Sequence, residues 1–272
     1  MGIRQWLLQL VGPSSALVDS LIATLSNADA DCWKKAKAAQ KLGKLGVQAR
    51  RAVPALINAL NISRFRQRQN GESFRLPVTY AECMRIHKED SFSLVQMTVD
   101  HEAAALALPE IGLQTWDQVI SITLIVLRLA PFYATHVRLT AKFGCGQMLD
   151  DGRIWMSVYF ACILALSKAG QRAWSQPLGG DPSTAVPMVS ELLNVPHSET
   201  RKVGVFLLKA AGTAAKSSSS ALVSLFTDGD VVLAATAASA LATVNPEEFM
   251  LHADVAQTLM HRAKDGLQEN SP

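Results

Sequence analysis

Apolar residues recur along this chain with the period of a helix. In AKAAQKLGKLGVQARRAVPALINAL, residues 36–60, Ala36, Ala39 and Leu42 fall on one helical stripe and Val53, Leu56, Ile57 and Leu60 on a second. The first stripe stops at Gly46, and Pro54 falls in the first turn of the second helix, where a missing N–H costs nothing. Two helices joined by so short a loop must run antiparallel, and their small alanines let them approach closely. So short a segment cannot bury that much Ala, Leu and Val by itself, so the hairpin needs neighbours to rest on.

The end of the first helix, LGKLG, recurs as LQLVG at Leu8 to Gly12, LPEIG at Leu108 to Gly112, LSKAG at Leu166 to Gly170 and LKAAG at Leu208 to Gly212. A sixth, degenerate copy is LATVN, Leu241 to Asn245, in which Asn takes the place of Gly. A left-handed residue just past a helix suits both, so each anchor is expected to end a first helix. Most copies precede a second apolar stretch, such as ALVDSLIATL, AVPALINAL, QVISITLIVL, AVPMVSELL and ALVSLF. The anchors 12, 46, 112, 170, 212 and 245 are 34, 66, 58, 42 and 33 residues apart. The short spacings fit one helical hairpin each, and the long ones contain insertions.

With its Ala-Ala-x-x-Leu-Gly helix followed by an Ala-Val-Pro-x-Leu helix, AAQKLGKLGVQARRAVPALINAL resembles bacterial HEAT repeats, in particular the short type named after phycobilisome lyases. The likeness is good over residues 29–60, fair over 101–128 and 185–245, and poor over 61–100 and 129–156. The resemblance implies an all-α protein, a right-handed α-solenoid of five or six hairpins. Residues 1–272 are then a single solenoid with a basic insertion at about 61–100 and a less regular region at about 129–156. The tetratricopeptide and ankyrin signatures are missing.

Composition supports helices. Apolar residues make up 49% of the 272 and aromatic residues only 6%, with Ala, Leu and Val dominant, a balance unlike that of a β-sandwich. Cys32, Cys83, Cys145 and Cys162 lie far apart with no C-x-x-C pair, so neither a zinc site nor a disulfide framework is signalled, and no cofactor is expected. A reducing cytoplasm fits. In MGIRQWLLQLVG, Gln9 and Gly12-Pro13 interrupt the apolar run before signal-peptide length, and Trp6 departs from the myristoylation pattern. VISITLIVL, residues 119–127, is about half of what spans a bilayer and is expected to be a buried helix; no membrane partner is expected.

Charge is unevenly distributed. Residues 34–88 hold thirteen of the 26 Lys and Arg against only Glu72 and Glu82, a local +11, and the remainder has thirteen basic and twenty-one acidic residues, or −8. A net charge of +3 thus hides a dipolar molecule. Lys34, Lys37, Lys41, Arg50, Arg51, Arg64, Arg66, Arg68 and Arg75 are the candidate partner-binding residues. A solvated lysine-rich helix face accounts for the first three equally well. For an anion-binding surface the best support is SRFRQRQNGESFR, where Arg64, Arg66 and Arg68 share one side if extended, and arginine suits bidentate contact with carboxylate or phosphate. Phe65 and Phe74 are interleaved, a weak signal for base stacking.

Other features resemble catalytic groups only superficially. His101-Glu102 lacks the second His of a zincin and is expected at a helix start. Asp150-Asp151-Gly152 is expected to be a turn, and Ser217 to Ser220 a polar inter-helix turn. Trp116-Asp117 pairs an aromatic with a carboxylate, as some HEAT-like DNA glycosylases do, but Asp117 also stands where a helix needs its N-cap. The functional expectation is a non-enzymatic repeat scaffold binding a protein partner with an acidic surface. Nucleic-acid binding through the 34–88 surface is the alternative, and a bilin-lyase-like or glycosylase-like enzyme the third.

Overall fold

The computed structural model describes residues 15–60, 99–143 and 150–269, with side chains over 15–60, 99–134 and 154–263. Among them all regular structure is helical, and the extended contact is an isolated parallel bridge between Thr115 and Gly179. The helices are α1 (Ser15–Ser26), α2 (Cys32–Leu45), α3 (Val53–Ala59), α4 (Val99–Ile111), α5 (Trp116–Phe143), α6 (Asp150–Ala173), α7 (Val186–Glu191), α8 (Ser198–Ala211), α9 (Ser219–Ser224), α10 (Val231–Val244), α11 (Pro246–Leu251) and α12 (Ala253–Glu269).

The opening hairpin forms for the reasons its pattern gives. The Asp31 carboxylate accepts the Trp33 N–H and starts α2, and Gly46, at φ 55°, ends it. Ala36, Ala38, Ala39 and Leu42 form the buried stripe. A 3₁₀ segment, Gly46–Ala52, turns the chain into α3, whose first turn holds Pro54 and which buries Val53 and Leu56. The pair then rests on helices farther along the chain. Helices α2, α4, α6, α8, α10 and α12 pack each on the next in sequence order, and α3, α5 and α7 make a second succession of contacts.

The recurring leucine lies in the core of the stack. Leu42, Leu108, Leu166, Leu208 and Leu241 are all fully buried in one hydrophobic cluster. Burial of a leucine stabilises by roughly 1.5–3 kcal/mol, so the motif marks the positions on which neighbouring helices depend. The recurring glycine is less uniform. Gly46, Gly112 and Gly212 all have positive φ just past α2, α4 and α8. Gly170 instead lies inside α6, which runs on to Ala173. Its value is proximity: a Cβ there would lie 3.3 Å from the Phe206 Cβ. Asn245 has φ −147° and ψ 84°, so it is not left-handed as expected. Pro246 comes next and disfavours the helical region for the preceding residue. Asn245 ends α10 and caps α11, accepting from the Glu248 N–H and donating through Nδ2 to Ser219 Oγ at 3.1 Å.

Further local expectations change. Asp150-Asp151-Gly152 opens α6 and is not a turn. Ser217 to Ser220 close a 3₁₀ segment and begin α9, with Ser218 and Ser219 buried. The hydroxyls of Ser190 and Ser218 share a hydrogen bond at 2.7 Å, so these serines join neighbouring hairpins. VISITLIVL is buried as expected, but within a 28-residue helix. Trp116–Ala134 and Ile154–Ala173 are long and apolar enough by length and composition to cross a membrane, and 56% of each is buried inside the fold.

Candidate interaction surfaces

Helix α2 separates its residues sharply by face. Its alanines and Leu42 point inward, while Lys34, Lys37, Lys41 and Lys44 are exposed and recur at i, i+3, i+7 and i+10, one stripe of a helix. Among the described residues none of these four lysines forms a salt bridge. Trp33 begins the same face and is 62% exposed. Arg50 is exposed, whereas Arg51 is engaged within the fold: its guanidinium bonds the Ser15 carbonyl and pairs with Asp19 at 3.0 Å, tying α1 to the first hairpin. Arg64, Arg66, Arg68 and Arg75 lie outside the described residues, as do Phe65, Phe74 and Gly12.

A groove of about 400 Å³ opens between α3 and the start of α5, lined by Pro54, Ile57, Asn58, Thr115, Asp117, Gln118 and Ser121. Its upper wall is fixed by a capping arrangement. The Thr115 hydroxyl accepts the Gln118 N–H at 3.3 Å and the Gln118 side chain accepts the Gln114 N–H at 2.7 Å. Thr115, not Asp117, is therefore the cap, and Asp117 sits in the first turn, where a carboxylate favours the helix dipole. Trp116 is buried in the core, so that pair does not present an aromatic face to a ligand.

Among the described residues, several acidic groups in the second half of the chain form ion pairs, and those of Asp228 and Asp230 are partly buried. Arg201 pairs with Asp228. Lys202 reaches Glu199 at 2.9 Å and Asp230 at 3.0 Å, and Lys216 reaches Glu247 at 3.0 Å. Partial burial alone would lower the pKa of Lys202, but the hydrogen bonds and charges of Glu199 and Asp230 outweigh it and raise the value. Asp230 is the counterpart: burial opposes its ionisation, the Leu233 N–H, Lys202 and the Val232 N–H favour it, and its pKa is lowered.

An aromatic cluster joins α5, α6 and the start of α8. Tyr133 stacks on Tyr159 with centroids 5.1 Å apart, and His197 lies 4.7 Å from the Tyr133 ring. The Tyr159 hydroxyl and His197 Nδ1 both reach the buried Thr200 hydroxyl, at 2.7 and 2.9 Å. Burial, with help from Arg201 and Lys202 and against Glu199, lowers the pKa of His197. The rings fill this space themselves, so the cluster acts as a joint between hairpins.

His101 lies in the first turn of α4, 3.6 Å from the Asp100 carboxylate, in keeping with a helix start. Among the described residues no three His, Cys, Asp or Glu side chains converge as a metal site would require. The chain matches no protein-family model, no curated protein and no solved structure.

Proposed function

We propose that the chain is a right-handed α-solenoid of five or six HEAT-like hairpins, a non-enzymatic cytoplasmic scaffold that binds a protein partner with an acidic surface. The successive packing of α2, α4, α6, α8, α10 and α12 supports the solenoid, since each hairpin then buries a face against its neighbours. The observation that carries the binding reading is the row of exposed lysines on α2, none of them in an ion pair among the described residues, set against Asp228 and Asp230, which are paired within the fold farther along the chain. A directed field of this kind steers an anionic surface into one orientation. Nucleic acid is the second reading, favoured by the +11 balance of residues 34–88.

Affinity capture from extract of the native host, with and without nuclease treatment, tests the choice. A specific protein retained after nuclease supports the scaffold reading. Capture that disappears with nuclease replaces it with the second reading, and no specific capture under either condition rejects both.

A further inference from the structure

We infer that the outer face of α2 is a docking strip for an acidic α-helix laid along it, with Trp33 as its apolar anchor; this rests on the scaffold reading and names the shape of the partner. At about 100° of rotation per residue, Trp33, Lys44, Lys37, Lys41 and Lys34 fall within an arc of roughly 100°. Ala36, Ala39, Leu42 and Ala38 occupy the opposite, buried side. The four lysine positions therefore extend about 15 Å along the helix axis, with axial steps of about 4.5, 6 and 4.5 Å at ~1.5 Å rise per residue, alternating between the two sides of the arc.

That spacing is the argument for a helical partner. Carboxylates recur at the same intervals on any helix that carries Glu or Asp at i, i+3, i+7 and i+10, so two such helices can meet in register along the whole row. Lysine stems are long enough to reach either side of a partner helix while their methylenes cover apolar surface. Each exposed pair contributes little alone, but four aligned pairs and one aromatic contact act together. A single-stranded nucleic acid would instead need successive aromatic platforms, and on this face Trp33 is the exposed aromatic among the described residues. The backbone underneath is held by burial of Leu42 and by close approach to α4, where a Cβ on Gly43 would lie 3.2 Å from the Ala107 Cα. The backbone that carries the strip is thus fixed before a partner arrives, so binding orders only the side chains on it.

The test uses the full chain and three probes. One is a capped helical peptide with Glu at i, i+3, i+7 and i+10 and one Leu placed to meet Trp33. The second is a scrambled isomer of the same composition with equal helix content, and the third a single-stranded oligonucleotide of equal charge. The registered peptide is expected to bind at least about tenfold tighter than its isomer, because register aligns pairs that net charge alone does not. Trp33→Ala and the combined Lys34→Gln, Lys37→Gln, Lys41→Gln, Lys44→Gln chain should each abolish that preference. If the combined variant does not fold, Lys37→Glu alone should reduce it. Equal affinity for the two peptides, no binding of either, or tighter binding of the oligonucleotide overturns the inference. Capture from host extract repeated with the combined variant separates the two claims. Undiminished capture of a specific protein rejects the strip alone, whereas no protein captured by the parent chain rejects the scaffold reading.

Discussion

The guanidinium of Arg172, in the last turn of α6, lies directly over Gly112 at the end of α4: a Cβ built on that glycine would meet Arg172 Nη1 and come 2.8 Å from its Cζ. Gly112 also has φ 84°, in the region that favours glycine. Backbone conformation thus favours glycine at the same point where the Arg172 guanidinium packs closest, and this is where α4 and α6 meet.

Gly212 separates the two effects, because it has φ 61° but open space where a Cβ would go. Gly212→Ala should therefore cost only the conformational penalty of φ 61° with ψ −139°, about 1–3 kcal/mol. Gly112→Ala should add to its own conformational penalty a smaller cost, about 0.5–1 kcal/mol, because the Arg172 guanidinium, at the far end of a flexible side chain, must swing aside. Arg172→Ala in the Gly112→Ala background should recover part of that smaller cost. Urea denaturation of the four chains measures this, and equal losses for the two glycines would show that Arg172 does not constrain the site.

Much of the helical order was legible in the sequence because burial and helix periodicity coincide at the same residues. Leu42, Leu108, Leu166, Leu208 and Leu241 could be picked out by the small residue four places on, and all are fully buried. The lysine stripe was legible for the same reason, since it is the complement of a buried stripe. Gly170 shows the limit of that signal: a glycine after an apolar run marks either a helix end or a close helix contact, and only the neighbour, Phe206, decides which. The Thr115 cap was present as Thr115-Trp116-Asp117-Gln118, a capping-box pattern, but an adjacent aspartate competes with it on propensity. Pairings such as Arg172 over Gly112 or Arg201 with Asp228 join residues far apart in the chain and leave no local pattern.

The joint at His197 should make folding pH-dependent. The unfolded chain takes up a proton near pH 6.5, whereas burial holds the folded imidazole neutral to lower pH. Between those values the unfolded state binds more protons, so stability is complete above about pH 6.5 and falls as pH drops below it. His197→Phe keeps a ring among Tyr133, Tyr159 and Phe160 but does not titrate. Its stability should vary less than the parent's between pH 6.5 and 5, measured by denaturant midpoints at each pH. An unchanged slope would place the titration on other residues.

Cys162 lies wholly within the α6 core, and burial pushes its thiol pKa up to about 12. The thiolate is the reactive form, so this cysteine should resist alkylation in the folded protein. Peptide mapping after iodoacetamide treatment at pH 8 should find the Cys162 peptide unmodified, and find it modified after unfolding in urea. Cys32 is a useful contrast: partial burial and the Asp31 carboxylate raise its pKa too, but it remains partly accessible and should react slowly in the native state. Alkylation of Cys162 as fast as Cys32 would mean that α6 is not packed in the native state.

Asp230 does two jobs with one carboxylate, and substitution can separate them. Oδ1 accepts the Val232 and Leu233 N–H groups, both at 3.0 Å, while Oδ2 pairs with Lys202 Nζ at 3.0 Å. The first contact starts α10 and the second holds α10 against α8. Asp230→Ala removes both and should cost about 1–3 kcal/mol, the sum of a lost cap and a partly buried ion pair. Asp230→Asn keeps an oxygen for the cap and loses the charge, so it should cost less than the alanine change. The sign with pH comes from the lowered pKa: stability from this group is present above about pH 3.8 and is lost as pH falls through the lower folded value. Asp230→Asn should lack that acid-dependent loss. In a double-mutant cycle with Lys202→Ala, the combined cost should be less than the sum, because the two single changes remove the same pair. Strict additivity would show that the Lys202 contact contributes nothing, and an Asp230→Asn chain as weak as Asp230→Ala would show that the carboxylate's charge matters more than its cap.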